Sequence, residues 1–504
     1  LGSYYSICCR KKNFYIRYKF GGENVMHLEK MTVVRPSQRQ LRWQELEFYG
    51  FIHFGMNTMT NREWGDGRES LEQFNPQALD CREWVRLFKL SGMKGIILTC
   101  KHHDGFSLWP SKYSQQTIAH TPWKDGQGDL VKELSEACRK EGIKFGVYLS
   151  PWDQHATSYG QGKTYDDFYL AQLTELLTQY GEIFEIWLDG ANGEGSNGKR
   201  QIYDWERYYR LIRRLQPNAV IAVCGPDVRW IGNEAGHTRK DEWSVVSCEL
   251  LDAEKTAEKS QQTDTPEFRK QVSSADEDLG SRLALTTKAE SALVWYPAEV
   301  NLSIRPGWFY HPEEDEAVKS AEDLFSLYRK IVGGNGSFLL NVPPMPDGAI
   351  HQKDRQSLLK LGQYIYPLQN DSAHLYGQVN VSSQKEVFDQ ETLQKISVTS
   401  ESYWQPIATD SEPWIEIVFS EPTRINALVL QEEIRDSQRI EHVAVYYEDA
   451  GKECLLTECG TVGHKRIIDF PTITTQRIKV VFLAFRQYPT IKKIYGRLLQ
   501  QPES

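Results

Sequence analysis

The feature that most constrains this chain is an alternation, sustained from residue 37 to residue 366, between short apolar runs and amphipathic stretches. The apolar runs are Phe48–Phe54, Gly95–Cys100, Phe145–Ser150, Phe184–Asp189, Ala219–Gly225, Trp243–Ser247, Leu293–Ile304 and Phe338–Val342. Several hold consecutive β-branched and aromatic residues, as strands covered on both faces do. Between them lie helix-period segments. Asp80–Leu90 sets Trp84, Leu87 and Phe88 on one face ahead of Gly92. Asp129–Lys140 has Asp129 as an N-cap, Leu130, Leu134 and Ala137 on one stripe, and Gly142 just past its end. Tyr165–Tyr180, Ile202–Leu215 and Glu314–Val332 repeat the theme. Eight strands alternating with helices predict an α/β fold, a TIM-like (β/α)8 barrel. The polar stretch Asp252–Arg282 interrupts the pattern and is expected to be a solvated insertion with some helix near the barrel mouth.

Past Pro367 the pattern changes. Alternating runs such as Trp414–Phe419, Ile425–Gln431, Val443–Tyr447, Arg466–Phe470 and Arg477–Phe482 follow one another without helices, as in an antiparallel β-sandwich. The expected organisation is an N-terminal extension (1–36), the barrel (37–366) and an all-β sandwich (367–504). The first thirty residues lack an apolar core and a small-residue cleavage site, so no signal peptide is expected. No apolar run is long enough to span a membrane. A net charge of −9 leaves no basic stripe to neutralise phosphates, which argues against nucleic acid as a partner. The nine cysteines are scattered, odd in number and without C-x-x-C spacing, so neither a disulfide framework nor a cysteine metal site is expected.

In such a barrel the chemistry sits at the C-terminal ends of the strands. Those ends read Ile52-His53-Phe54-Gly55, Lys101-His102-His103-Asp104-Gly105, Tyr148-Leu149-Ser150-Pro151-Trp152, Trp187-Leu188-Asp189-Gly190, the loop from Asp227 to Gly236, and Arg305-Pro306-Gly307-Trp308. Polar and aromatic residues thus converge on one rim. Asp189 closes an apolar strand, where an unpaired carboxylate is costly to desolvate. It is either a catalytic nucleophile, with Gly190 and Gly193 clearing room for a substrate, or a cap on the following turn. Glu234, in a glycine-flanked loop, is the candidate second carboxylate for glycosidic cleavage, with Asp227, Asp241 and Glu242 as local rivals. His53 reads as a core histidine or a ligand-binding one, and Tyr148 and Trp308 as packing or site residues. Adjacent residues on an extended segment face opposite ways, so His102 and His103 are not expected to share a metal. Neutral imidazole pairs a donor with an acceptor, which suits sugar hydroxyls better.

Taken together, Ile52-His53-Phe54-Gly55, Glu63-Trp64, Lys101-His102-His103-Asp104-Gly105-Phe106, Tyr148 with Pro151-Trp152, Trp187-Leu188-Asp189-Gly190, and Asn335–Val342 followed by Pro346-Asp347-Gly348 resemble the retaining α-L-fucosidases of glycoside hydrolase family 29. The resemblance implies Asp189 as nucleophile. It implies a fucose pocket lined by His53, Glu63, Trp64, His102, His103, Tyr148 and Trp308, with Arg229 near it. Trp230–Gly236 is similar to the subfamily restricted to α-1,3/1,4 linkages, in which Glu234 would be the acid/base. The sandwich resembles a discoidin-type, galactose-binding-like module. A fucosylated glycan is the implied substrate, with no cofactor and no metal, and secreted or periplasmic residence follows from that role. A broad-specificity fucosidase, an α-L-galactosidase and a catalytically inactive carbohydrate-binding barrel are the alternatives.

Overall fold

A computed structural model describes residues 30–260, 278–370, 375, 377–386 and 402–500. Most of the N-terminal extension and the centre of the expected insertion lie outside these. The strands are β1 (Phe48–Ile52), β2 (Gly95–Lys101), β3 (Lys144–Leu149), β4 (Glu185–Leu188), β5 (Val220–Val223), β6 (Arg229–Trp230), β7 (Val245–Ser247), β8 (Leu293–Trp295), β9 (Ala298–Ser303) and β10 (Ser337–Asn341), followed by six more. Eight of the first ten form one parallel sheet in the order β5-β4-β3-β2-β1-β10-β9-β6. The Val223 amide donates to the Val228 carbonyl at 3.1 Å, and a parallel bridge between Ala222 and Val228 brings the two edges together. The sheet is therefore a nearly closed barrel. Every residue of β1 and β2 is buried, as expected when helices cover the outside and side chains fill the inside.

Between the strands stand the helices α1 (Gln38–Gln44), α2 (Cys81–Leu90), α3 (Leu130–Glu141), α4 (Lys163–Gln179), α5 (Trp205–Leu215), α6 (Ala321–Val332) and α7 (Gln352–Gln369), among other short turns. The Asp80 carboxylate caps α2 by accepting from the Arg82 and Glu83 amides, and Asp129 caps α3 through Lys132. α2 buries Trp84 and Phe88 fully against the barrel, each contributing about 2–3 kcal/mol of apolar transfer. Gly142, at φ 74°, ends α3 in the left-handed conformation.

The sixth barrel strand differs from expectation. It is the two-residue β6, and Trp243–Ser247 is not part of the barrel: β7 pairs antiparallel with β8 in a separate two-stranded sheet. The apolar run Leu293–Ile304 is in fact two strands. Pro297, which has no amide hydrogen to donate, separates β8 from β9, and only β9 enters the barrel. An apolar period cannot distinguish a barrel strand from a covered hairpin, and a two-residue strand leaves no period at all.

The second domain is an antiparallel sandwich of β11 (Gln378–Val381), β12 (Trp414–Glu432), β13 (Ile440–Asp449), β14 (Lys452–Cys459), β15 (Arg466–Phe485) and β16 (Ile491–Arg497). β12 and β15 are long and irregular in register, and each serves both layers. The first half of β12 pairs with β11 and the second half with β16. Ile415, Ile417, Val445 and Val480 meet Leu428, Leu430, Ile468 and Ile494 in one core. This domain docks at the N-terminal ends of the barrel strands. Lys465 donates to Glu47, just before β1, at 2.6 Å, and the Ile467 amide donates to the Gly333 carbonyl, just before β10. It thus buttresses the end of the barrel opposite the rim where the strands deliver their polar residues.

Candidate active site

Alternation along each strand sends every second residue into the barrel. On β4 and its end these are Glu185, Trp187 and Asp189; on β1 they are Tyr49, Phe51 and His53; on β9 they are Glu299, Asn301 and Ser303. Deepest lies a carboxyl pair. Glu299 accepts from the Tyr49 hydroxyl and, at 2.7 Å, from the Trp187 indole, while Glu185 accepts from the Trp43 indole at 2.8 Å. Burial raises the affinity of both for protons, most strongly at Glu185, where the Glu299 charge adds to the rise, whereas the hydrogen bond with Glu185 opposes it at Glu299. One proton shared between them satisfies the otherwise unpaired Oε1 of Glu185. Above this layer, Trp187 and Phe51 form a floor, their rings 5.2 Å apart.

Over that floor opens a cavity of about 350 Å³. It is lined by Asp189, Glu234, His53, Glu63, Trp64, His102, His103, Tyr148 and Trp308, so nine of the ten residues singled out in the sequence converge there. Arg229 does not. Its neighbour Trp230 faces the cavity, and alternation turns Arg229 the other way, where it pairs with Glu242 and donates to the Trp243 and Tyr296 carbonyls. The rivals of Glu234 also have structural partners. Asp227 binds Arg39 and Arg213, Glu242 lies between Arg229 and Arg239, and Asp241 accepts from the Thr461 amide.

Asp189 combines the two readings of its sequence position. One oxygen caps the turn, accepting from the Ala191 amide at 3.0 Å, and the other accepts from the Tyr148 hydroxyl at 2.8 Å. Burial lifts its pKa to about 6, and those two hydrogen bonds oppose the rise. Near neutrality it is therefore mostly a carboxylate, and a poorly solvated one. Gly190 serves a different purpose from the expected one. At φ 75° it turns the chain, and a Cβ there would lie 2.3 Å from the Cys224 sulfur rather than in the substrate's path; a Cβ on Gly193 would strike Trp152.

His102 and His103 do not point apart. They follow β2 in a turn, where the two-residue alternation of a strand no longer holds, and their rings lie 3.9 Å apart on the cavity wall. Burial lowers the pKa of His53 to about 4 and of His103 to about 3, and holds His102 well below the usual value, so all three are neutral at pH 7. Their partners fix the tautomers. Asn341 donates through Nδ2 to the Trp308 carbonyl, so its Oδ1, 2.8 Å from His53 Nδ1, requires a hydrogen on that nitrogen. Ser150 donates to the Trp152 carbonyl, so His103 Nδ1 likewise donates to its hydroxyl oxygen at 2.7 Å. Asn57 Nδ2 donates to the Glu63 carbonyl and to His102 Nδ1, leaving the hydrogen of His102 on Nε2. The three remaining ring nitrogens are thus an acceptor on His53, an acceptor on His103 and a donor on His102, a fixed pattern suited to hydroxyl groups.

Aromatic rings complete the wall. Trp64 meets His103 and Trp152 edge-on, and Trp308 lies over His53 at 5.1 Å. The Trp308 indole also donates to Glu234 at 3.2 Å. Sequence reasoning did not single out Asn301, Arg200, Asn192 or Trp230 as site residues, though all line the cavity. A signal existed for Asn301: Glu299, Asn301 and Ser303 are polar at every second position of an otherwise apolar strand. The short β6 and the loop after β4 carry no comparable pattern.

Comparison with known proteins agrees with this arrangement. Residues 28–368 match the family model for alpha-L-fucosidase, and residues 378–494 match the F5/8 type C domain. Alpha-L-fucosidase 1 of Arabidopsis thaliana is 37% identical over 464 residues, covering 90% of this chain and 86% of its own. The crystal structure of a glycoside hydrolase 29 family member from a rumen bacterium superposes with a TM-score of 0.73 at 36% identity, over 94% of this chain and 78% of that one. A Ruminococcus gnavus GH29 fucosidase in complex with fucose does so with a TM-score of 0.78 at 28% identity, over 93% and 96%. The family-model match across the barrel, with the Arabidopsis relative covered over 86% of its length, places the chain in the alpha-L-fucosidase family, glycoside hydrolase family 29.

Proposed function

We propose that this protein is an exo-acting, retaining α-L-fucosidase that releases terminal α-1,3- or α-1,4-linked fucose from glycans. The observation that carries the reading is that Asp189 and Glu234 face one cavity together with three neutral, hydroxyl-binding imidazoles. In the first step an Asp189 oxygen attacks the anomeric carbon, the glycosidic C–O bond breaks, and Glu234 gives its proton to the departing sugar oxygen. In the second, Glu234 takes a proton from water, the water oxygen bonds to the anomeric carbon, and the ester bond to Asp189 breaks. Fucose leaves with its original configuration. Glu63 and the three imidazoles bond the hydroxyls, and Trp308 and Tyr148 cover the apolar face of a 6-deoxy sugar. The linkage preference rests on the loop from Trp230 to Gly236, which supplies both an aromatic lining residue and Glu234.

Product analysis by NMR tests the mechanism: the first fucose formed should be the α-anomer, and an initial β-anomer would overturn it. Asp189→Ala should lose nearly all activity, with azide restoring turnover of an activated aryl fucoside. Rescue at a different carboxylate instead would reassign the nucleophile. Trisaccharides fucosylated at O3 or O4 should release fucose well ahead of a 2-fucosylated glycan; equal rates would refute the linkage reading, and binding without release would make the barrel a lectin.

A further inference from the structure

His311 lies behind the cavity wall, is 8% exposed, and has an acceptor at each ring nitrogen. Nδ1 is 2.6 Å from Asn61 Oδ1 and Nε2 is 2.7 Å from Glu63 Oε1. Neither partner can supply the missing hydrogen. The Asn61 amide nitrogen faces the Glu313 carboxylate, which leaves its oxygen for His311. Glu63 already accepts from the Phe309 amide on Oε1 and from the Trp308 amide on Oε2, each at 3.1 Å, as an ionised carboxylate does. A neutral imidazole carries one N–H, so it would set a lone pair against one of the two oxygens; the imidazolium satisfies both.

The groups packed around the ring agree with a positive charge. Glu63, Glu313 and Glu314 face it, and the Glu314 carboxylate also accepts from the Gly307 amide at 2.9 Å. Arg305, the nearby cation, approaches only the His311 carbonyl and is neutralised by Asp315 and Asp354. Burial alone would favour the neutral ring, but these carboxylates outweigh it and raise the pKa above the ordinary histidine value. Gly307 closes the arrangement: a Cβ there would lie 2.5 Å from Glu63 Oε1 and 2.8 Å from the His311 ring.

We propose that His311 is a positioning residue held as an imidazolium, which fixes Glu63 as an acceptor in the cavity and, through the Trp308 and Phe309 amides on Glu63, sets the Trp308 indole against Glu234. This rests on the functional reading above, in which Glu63 binds a sugar hydroxyl. A carboxylate without its cation would turn toward solvent and release the two amides that shape the loop. Substrate binding therefore weakens as pH rises through the titration of His311, even though His311 never meets the sugar.

Two measurements keep the clamp and the function separable. With 15N-labelled histidine, NMR of the full-length protein, assigned by the loss of signal in His311→Gln, should show both ring nitrogens protonated at pH 7; a neutral ring overturns the proposal whatever the enzyme does. In kinetics with an aryl fucoside, His311→Gln should raise KM about ten-fold, with a smaller change in kcat, because one charge-assisted bond is replaced by a neutral one. The alkaline rise of KM should also disappear. Asn61→Asp should move that rise to higher pH and Asn61→Leu to lower pH, which decides the matter should His311→Gln fail to fold. An unchanged KM profile in a folded variant refutes the positioning role. A wild-type protein inactive on every fucoside refutes the functional reading while leaving the NMR result to judge the clamp.

Discussion

Replacing Tyr148 by phenylalanine removes one hydrogen bond from the candidate nucleophile and leaves its other surroundings in place. The Tyr148 hydroxyl donates to Asp189 Oδ2 at 2.8 Å and is one of the groups that keep the Asp189 pKa from rising above about 6. A hydrogen bond to a charged acceptor contributes about 1.5–3 kcal/mol, which corresponds to roughly one to two pH units in the titration of that acceptor. The Asp189 side chain is 17% exposed, so water drawn from the cavity can replace part of the lost bond. The lower end of the range is therefore expected, about one pH unit. The sign follows from the chemistry. In the proposed mechanism only the carboxylate attacks, so kcat/KM falls as pH drops through the Asp189 titration, and losing the donor moves that fall to higher pH. At pH 6 the wild type should run at roughly half, and Tyr148→Phe at roughly a tenth, of the maximum to which its own acid limb extrapolates. The assay is kcat/KM for an aryl fucoside from pH 4 to 8.5, with circular dichroism at each end to exclude unfolding. An acid limb that stays put in Tyr148→Phe would refute the claim that this bond tunes Asp189. An acid limb that survives azide-rescued Asp189→Ala would show that another group sets it.

Three further outcomes follow from other parts of the barrel. If Glu185 holds the shared proton and Glu299 the charge, Glu185→Gln should change stability by about 1 kcal/mol or less, because an amide can donate to Glu299 as the acid did; Glu299→Gln, which sets an NH2 against the Tyr49 and Trp187 donors, should cost about 3 kcal/mol or more by chemical denaturation. Equal costs would mean that the proton is not placed as assigned. Arg229→Met leaves Glu242 with Arg239 alone and should destabilise by about 1–3 kcal/mol while leaving KM of the folded enzyme within about two-fold, since Arg229 does not reach the cavity; a large KM effect at full stability would restore it to the pocket. Asp189→Asn should gain stability relative to wild type as pH rises. The folded pKa of about 6 exceeds the ordinary 3.8, so the wild type carries no penalty below pH 3.8 and acquires one of about 3 kcal/mol by pH 7, which a neutral amide avoids. A Tm difference independent of pH would contradict it.

Much of the fold and site was legible in the sequence because it depends on period and position. Asp129 announces its helix by standing one residue ahead of the Leu130 stripe, and the structure caps the helix with it. His53, His102, Tyr148 and Asp189 are legible because barrel strands end in the same layer. What was not legible is orientation. Arg229 and Trp230 are adjacent, and which of them faces inward depends on the pairing of a two-residue strand with β9. The placing of β7 outside the barrel is likewise a tertiary fact, since its apolar run would serve either setting. His311 lay out of reach for another reason: it meets Glu63 across 248 residues, and only the juxtaposition of two loops makes it a partner.

That distinction bears on how the site handles charge. A buried carboxylate can be kept ionised by cations beside it or by oriented dipoles. Cations would do so more strongly, lowering the pKa of Asp189 well below the usual range, but they would also stabilise the free carboxylate over the neutral ester of the proposed mechanism. Here the imidazoles nearest Asp189 are held neutral by burial, His103 Nε2 lies 3.7 Å from Oδ2, and direct support comes from the Tyr148 hydroxyl and from backbone amides. The cationic clamp inferred for His311 is placed instead on Glu63, which in the proposed mechanism binds a hydroxyl and forms no bond to the sugar. Under the proposed mechanism the site thus reserves full counter-charge for the group that binds and uses weaker hydrogen bonds for the group that reacts. Exchanging the two arrangements, for example by a cation beside Asp189, should depress its pKa and slow glycosylation at every pH above it.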